Sequence, residues 1–342
     1  MSEKKIVIAL DAMGGDNAPG EVVLGALDGL RRSEELSVIL VGRTDAINPF
    51  LDGVEYDSDR LRIVEASEII EMSEPPVAAI RHKKDSSIVV GMSLVKNGEA
   101  DGFVSAGSTG AVLVGGQLVV GRVRGVERTP IGVVFPTSKG LALLIDSGAN
   151  MDAKPGNLRQ FAVMGSIYME SVLGVNNPKV GLVNVGVEEE KGNAVVKETY
   201  ELLKETPDIN FIGNIEARSI PYGEADVIVC DAFVGNVILK LYEGTGGALI
   251  GMIKEALHSS ARSKIGGLLI KPALKGTLKK LDASEYGGAP LLGLKGLIVK
   301  AHGNSTRKEI SNTLMQAVSF VEKDIVNKVA EALSASPEKK ED

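Results

Sequence analysis

Six polar, glycine-rich segments hold the residues of this 342-residue chain that could do chemistry. They are DAMGGDNAPG from Asp11, SAGSTGA from Ser105, DSGAN from Asp146, NVGVEEEKGN from Asn184, CDAFVGN from Cys230 and KAHGNS from Lys300. Each follows a short apolar run rich in β-branched residues. In a parallel sheet the ends of such runs lie along one edge, and ligands bind at that edge. Any one segment reads equally well as a tight turn; the convergence of several on one edge is the signal.

In SAGSTGA, Gly107 and Gly110 let backbone come close to a ligand. Ser108 or Thr109 can cap the helix that follows. The first N–H groups of that helix then face the strand end, an arrangement that holds a phosphate. The same residues also make a plain N-cap. The segment is not a P-loop, because the lysine of that motif is missing, and no strand is followed by GxGxxG. Positive charge for an anion could come from Lys83 or Lys84 in IRHKKDSS, from Lys191 or from Lys240. A solvated surface turn is the other reading of Arg81–Lys84. Asp11, Asp16, Asp146 and Asp231 stand at strand ends; a divalent metal site is one reading of them, though their spacing is not diagnostic, and orienting turns or basic side chains is the other. His302, one of three histidines, suits acid–base chemistry or a hydrogen bond within its own turn. Cys230 reads as a small buried hydrophobe.

The elements that must place these segments follow from periodicity. Strands are predicted at Ile6–Leu10, Val38–Val41, Leu61–Val64, Gly102–Ser105, Ile131–Phe135, Leu141–Ile145, Val180–Val185, Val227–Cys230 and Leu297–Lys300. Helices are predicted at Glu21–Arg32, Leu158–Leu173, Ala194–Lys204 and Ile310–Leu333. Apolar strands alternating with helices define an α/β fold, a doubly wound and mainly parallel sheet covered on both faces. The short PTSKG between Phe135 and Leu141 predicts one antiparallel hairpin. Residues 1–335 read as a single elaborated domain and 336–342 as a disordered tail.

Hydrophobic residues make up 44% and charged residues 24% of the chain, an ordinary globular composition. The formal charge of −7 argues against a nucleic-acid binder. One cysteine excludes an internal disulfide and a cysteine-based zinc cage, and fits a reducing, cytoplasmic setting. The opening MSEKKIVIALDAMGGD is not a signal peptide. Gly102–Gly121 is uncharged and long enough to span a membrane, but its six glycines and Gln117 favour strand, turn and helix.

A helical excursion is predicted at about 254–293. Residues 254–280 hold seven basic residues against Glu255 alone, a local +6 in an acidic chain. Ile265, Leu268, Leu269 and Ile270 cluster there. Leu274, Leu278 and Leu281 fall on one side of a helix starting near Pro272, flanked by Lys271, Lys275 and Lys279. An apolar stripe between lysines suits an anionic membrane surface; a dimer interface is the alternative.

Taken together, IALDAMGGDNAPG, SAGSTGA, NVGVEEEKGN, ADVIVCDAFVGNVILKLYEG, GGAPLLG and KAHGNS resemble the bacterial phosphate acyltransferase family, the acyl-carrier-protein:phosphate transacylases of phospholipid synthesis. The resemblance runs from about Lys5 to about Val321. EARSIP departs from it, with Ala217 where a glycine is expected. The resemblance implies a fold like isopropylmalate dehydrogenase and a reaction of acyl carrier protein thioester with inorganic phosphate. It implies no organic cofactor. It also implies a homodimer bound peripherally to membrane, with the acyl phosphate passed to a membrane glycerol-phosphate acyltransferase.

For that reaction, Gly107, Ser108, Thr109 and Gly110 are expected to hold phosphate and Lys83 or Lys84 to supply charge. His302 would polarise or protonate, and Asp11, Asp16 and Asn184 would order the site. The rival readings are a dehydrogenase of the same fold, a coenzyme-A-dependent phosphotransacetylase, and a non-enzymatic scaffold recruited to membrane.

Overall fold

The structure is a computed structural model. It describes the backbone of residues 5–280 and 287–334 and the side chains of those residues other than 277–280. The expected tail at 336–342, Leu281 and the side chains of Leu278 and Lys279 lie outside the described residues.

The first half alternates strand and helix: β1 (Ile6–Asp11), α1 (Gly20–Arg32), β2 (Leu36–Gly42), α2 (Thr44–Ile47), β3 (Leu61–Glu65), α3 (Pro76–His82), α4 (Ser87–Lys96), β4 (Gly102–Ser105) and α5 (Thr109–Gly115). The middle contains β5 (Gly132–Thr137), β6 (Gly140–Ile145), α6 (Pro155–Ser171), β7 (Lys179–Asn184), α7 (Ala194–Lys204), β8 (Asn210–Glu216) and β9 (Val227–Val229). A helical hairpin, α8 (Ala232–His258) and α9 (Ala261–Lys280), precedes β10 (Ala289–Pro290), β11 (Leu297–Lys300), α10 (Arg307–Glu322) and α11 (Ile325–Ser334).

The fold is the expected doubly wound α/β type, with the strands shared between two mainly parallel sheets. The first has the order β10-β11-β4-β1-β2-β3 and the second β5-β6-β9-β7-β8. Among the strands of the described residues only β10–β11 and β5–β6 pair antiparallel, the latter being the expected hairpin. Within the first sheet the order reverses between β1 and β4: from β1 the chain first adds β2 and β3 on one side, then β4 and β11 on the other. Such a switch point leaves a crevice beyond the carboxyl ends of the two strands.

The sheets meet where Ile131, just before β5, bridges Leu291, just after β10, and the same Ile131 donates its N–H to Asp146 Oδ1 at the end of β6 at 3.1 Å. These contacts turn the carboxyl end of β6 toward the first sheet. One apolar cluster includes Ile8 and Val299 of the first sheet with Leu182 and Val227 of the second. Gly102–Gly121 forms β4, a turn and helix, as expected. No helix of the described residues is long and apolar enough to cross a membrane.

Three expectations need correction. Ile310–Leu333 is two helices, because Asp324 takes a left-handed conformation (φ 52°) between them. The excursion begins at Ala232 rather than near 254, since α8 runs unbroken to His258. Finally, α9 does not start near Pro272: it starts at Ala261 and carries that proline inside it. Strand β8 was not expected. It contains a bulge at Gly213 (φ 94°), which breaks the period of two that marks a strand.

Candidate active site

At the switch point, Asp11 ends β1 and Ser105 ends β4; both are fully buried. Ser105 Oγ donates to Asp11 Oδ2 at 2.6 Å and accepts the N–H of Gly107 at 3.0 Å. The N–H of Met13 donates to Asp11 Oδ1 at 3.1 Å, and the Ser87 hydroxyl and Gly14 N–H also reach this carboxylate. Burial nevertheless dominates and raises the Asp11 pKa above its ordinary value; these hydrogen bonds oppose the shift.

The DAMGGD turn fits closely against its neighbours. A Cβ on Gly14 would overlap Asp11 Oδ2 and lie 2.7 Å from the backbone nitrogen of Gly107. Gly15 takes φ 103°, with room for no side chain between Ala106 and Gly303. The Asp16 N–H donates to the Gly303 carbonyl at 2.7 Å, and Asn17 Nδ2 to that of Asn304 at 2.9 Å. The loops after β1, β4 and β11 are thereby joined into one surface.

Several helices start at this edge. Ser108 is the N-cap of α5, its hydroxyl accepting from the Ala111 N–H at 3.4 Å, while Thr109 is exposed. Gly110 is pressed against Pro76, the first residue of α3. Ser86 caps α4, which places Ser87 within reach of Asp11. Thr306 and Glu309 form a capping box at the start of α10. Helix starts therefore gather beyond β1, β4 and β11, and their dipoles favour negative charge there.

The expected residues are distributed as follows. Asp11, Asp16, Gly107, Ser108, Thr109, Gly110 and His302 lie on the three joined loops. His302 is exposed, and its Nδ1 accepts the Asn304 N–H at 3.4 Å. Lys83 and Lys84 are engaged elsewhere. Lys83 Nζ donates to Glu74 Oε1 and to the Ile69 carbonyl, each at 2.6 Å, and Lys84 Nζ to the Ile80 carbonyl at 3.0 Å. What IRHKKDSS brings to Asp11 is Ser87. Asn184 ends β7 in the second sheet and orders its own loop, Nδ2 donating to the Lys191 carbonyl at 3.0 Å. Lys191 pairs with Glu188 and Lys240 with Glu243.

The buried cation at this edge is Lys300, the last residue of β11, which sequence reasoning passed over. Its Nζ donates to the Ala106 carbonyl at 3.2 Å and to that of Ala301. Burial lowers its pKa to about 8, against the opposing charges of Asp11 and Asp16. The signal was a lysine closing the apolar run LIV.

In the second sheet, Asp146 organises a turn. It accepts N–H groups from Ile131, Gly148, Ala149 and Asn150 and the Asn150 side-chain amide. Burial raises its pKa. Asp231 caps α8 through the Val234 N–H. Both carboxylates thus orient backbone. Cys230 is buried, and burial with the charges of Asp231 and Asp146 pushes its thiol well above the ordinary value, which favours the unreactive thiol.

On the helical hairpin, Ile265, Leu268 and Leu269 are 61%, 71% and 78% exposed. Lys271 and Lys275 are exposed and Leu274 is half-buried.

Fold and site together define a doubly wound α/β protein whose polar, glycine-rich loops gather at a topological switch point. Residues 6–328 match the model of the family described as "Fatty acid synthesis protein", and the chain belongs to that family. It is 49% identical to the phosphate acyltransferase of Alkaliphilus oremlandii over 96% of this chain and 97% of the relative. Among solved structures it resembles the EutD phosphotransacetylase from Staphylococcus aureus, with TM-score 0.60, 19% identity and coverage of 94% and 95%. It also resembles a 4-hydroxythreonine-4-phosphate dehydrogenase from Klebsiella pneumoniae, with TM-score 0.53, 11% identity and coverage of 94% and 98%. These two likenesses are of fold.

Proposed function

We propose that this chain is a phosphate acyltransferase: it moves an acyl group from acyl-acyl carrier protein to inorganic phosphate, giving acyl phosphate and free carrier protein for phospholipid synthesis. The observation that carries the reading is the joined surface of DAMGGD, SAGSTGA and KAHGNS at the switch point, in a chain whose relatives bear that name. Phosphate is already a nucleophile, so the site must dehydrate it and align it with the thioester carbon. The helix starts at Ser108 and Ser86 favour an anion there, and Gly107 and Gly110 allow close backbone approach. Donors must also meet the oxyanion of the tetrahedral intermediate, and exposed His302 can polarise that oxygen. The thiolate leaves readily, so a strong general acid is not needed. Asp11 and Asp16 order the loops rather than react. Asn184 serves the same ordering role in the second sheet.

The test is to mix the pure protein with palmitoyl-acyl carrier protein and phosphate and to identify products by mass spectrometry. Acyl phosphate is expected, with none when phosphate is omitted. Absence of phosphate-dependent thioester cleavage would reject the reading. Preference for an acyl-coenzyme A donor would instead favour the phosphotransacetylase alternative.

The wider proposal is a cytoplasmic homodimer of one elaborated domain over residues 1–335, held at the anionic membrane surface by α8 and α9. Exposed Ile265, Leu268 and Leu269 beside Lys271 and Lys275 support it. Leu274, Leu278 and Lys279 complete the proposed surface. From there the acyl phosphate reaches a membrane glycerol-phosphate acyltransferase. No organic cofactor and no metal ion enter this scheme.

A further inference from the structure

Lys300 is the only buried lysine or arginine among the described residues. Burying an ammonium is costly even when it is paired, so its place calls for a reason. Its contacts supply one. The Ala106 carbonyl accepts from Lys300 Nζ at 3.2 Å, and the Gly107 N–H donates to Ser105 Oγ at 3.0 Å. A single peptide unit, Ala106–Gly107, is therefore held at both ends. It stands immediately before Ser108, the N-cap whose helix start faces the proposed anion. Lys300 also donates to the Ala301 carbonyl, and Ala301 N–H donates to the Ser105 carbonyl at 2.9 Å, so the same side chain links the loops after β4 and β11.

We infer that Lys300 is a positioning residue for phosphate: its ammonium holds the Ala106–Gly107 peptide in the anion-binding orientation and supplies the positive charge expected of Lys83 or Lys84. This rests on the transferase reading above and deepens it. The groups facing Lys300 are Asp11 and Ser105 at the ends of their strands and Asp16 on the adjoining loop; His302 follows on the same loop, exposed. The two carboxylates keep the ammonium charged near neutrality, while burial works against it, leaving a pKa of about 8. Above that value the charge is lost and anion binding weakens. By linkage, binding an anion there draws in a proton.

The test measures binding of sulfate, a dianion that does not titrate in this range, by calorimetry between roughly pH 7 and pH 9.5. It also measures steady-state kinetics with phosphate. Wild-type affinity for sulfate is expected to fall above about pH 8. Lys300→Met should raise the KM for phosphate about ten- to a hundredfold. It should change kcat and the KM for the acyl donor far less, and abolish the alkaline decline. Lys300→Arg should restore part of the affinity and keep it at high pH. Flat wild-type sulfate affinity across the range would overturn the inference, and so would wild-type affinity in folded Lys300→Met. If Lys300→Met does not fold, the wild-type pH series decides alone. A wild type with the expected sulfate profile but without phosphate-dependent thioester cleavage would reject the transferase reading and leave the anion site standing.

Discussion

Ser105 Oγ lies 2.6 Å from Asp11 Oδ2, across two strands that are 94 positions apart in sequence and neighbours in the sheet. The hydroxyl donates to the carboxylate while accepting the Gly107 N–H, so it passes the orientation of β1 to the turn proposed to bind phosphate. Ser105→Ala leaves a buried carboxylate and a buried N–H each short of a partner. It should cost about 1–3 kcal/mol of stability and raise the KM for phosphate. Denaturant titration and phosphate saturation curves check the two effects separately. Unchanged phosphate dependence in the folded variant would show that this chain of hydrogen bonds does not set the turn.

Gly14 permits that closeness. A side chain there would strike Asp11 and the backbone of Gly107, neither of which can move without disturbing the turn. Gly14→Ala should cost about 1–3 kcal/mol and most of the activity. Gly156→Ala is the control, because nothing lies within 4 Å of a Cβ at that helical position. It should be neutral or stabilising by up to about 1 kcal/mol. Equal losses in both, read by thermal unfolding and turnover, would mean that the fit around Gly14 is not decisive.

How far the sequence revealed these features depended on whether the signal was local. β4 and the strand closing at Lys300 have their expected bounds, and so does α7, because runs of apolar β-branched residues and amphipathic spacing are short-range patterns. β8 was missed because its bulge at Gly213 breaks the alternation. The break at Asp324 was missed because the apolar spacing of α10 continues into α11. In the site, the glycine-rich turns were legible one by one. The cation was expected in a run of charges, whose Lys83 and Lys84 bond instead to Glu74 and to the Ile69 and Ile80 carbonyls. The buried one is defined by strands ending at Asp11, Ser105 and Lys300, which only the fold brings together.

Cys230 stands near the second sheet's carboxyl edge, but its surroundings favour the protonated thiol. Its Sγ lies 3.8 Å from the Asp146 carbonyl oxygen. Cys230→Ser should keep most of the activity and lose about 1–2 kcal/mol through a more polar buried group. A folded variant without turnover, or an acyl thioester trapped on this residue in the wild type, would contradict direct attack by phosphate.

Lys300 also predicts opposite pH trends for stability and binding. Its pKa falls from 10.5 in the unfolded chain to about 8 in the folded one. Between those values the unfolded chain holds a proton that the folded chain has released, so this group's contribution to stability grows as pH rises. The ceiling is about 3 kcal/mol. Phosphate affinity should decline over the same window. The unfolding free energy of wild type minus that of Lys300→Met, measured at intervals from about pH 7.5 to 10, isolates the term from other titrating groups. A difference that is flat or falls with pH would show that Lys300 is not held at a lowered pKa.

The helical hairpin tests the proposed membrane attachment. α8 spans about 40 Å at a rise of about 1.5 Å per residue, and no residue described in it beyond Gly235 is buried. On α9, Ile265, Leu268, Leu269 and Ile270 face outward next to Lys271 and Lys275. Apolar residues can enter the interfacial region while the lysines meet anionic headgroups. Each lysine near such a surface contributes about 1 kcal/mol. Changing Lys271, Lys275 and Lys279 together to Glu should therefore weaken binding to phosphatidylserine vesicles by at least about a hundredfold. Thioester cleavage in solution should persist, because this surface lies outside the proposed anion site. Vesicle sedimentation across a salt series separates the contributions: the electrostatic part weakens with salt, whereas Leu268→Ser with Leu269→Ser should reduce what remains. Sedimentation indifferent both to the three Glu changes and to salt would reject electrostatic attachment. Loss of a dimer in the same triple variant, seen by light scattering, would assign this face to contact between two copies of the chain.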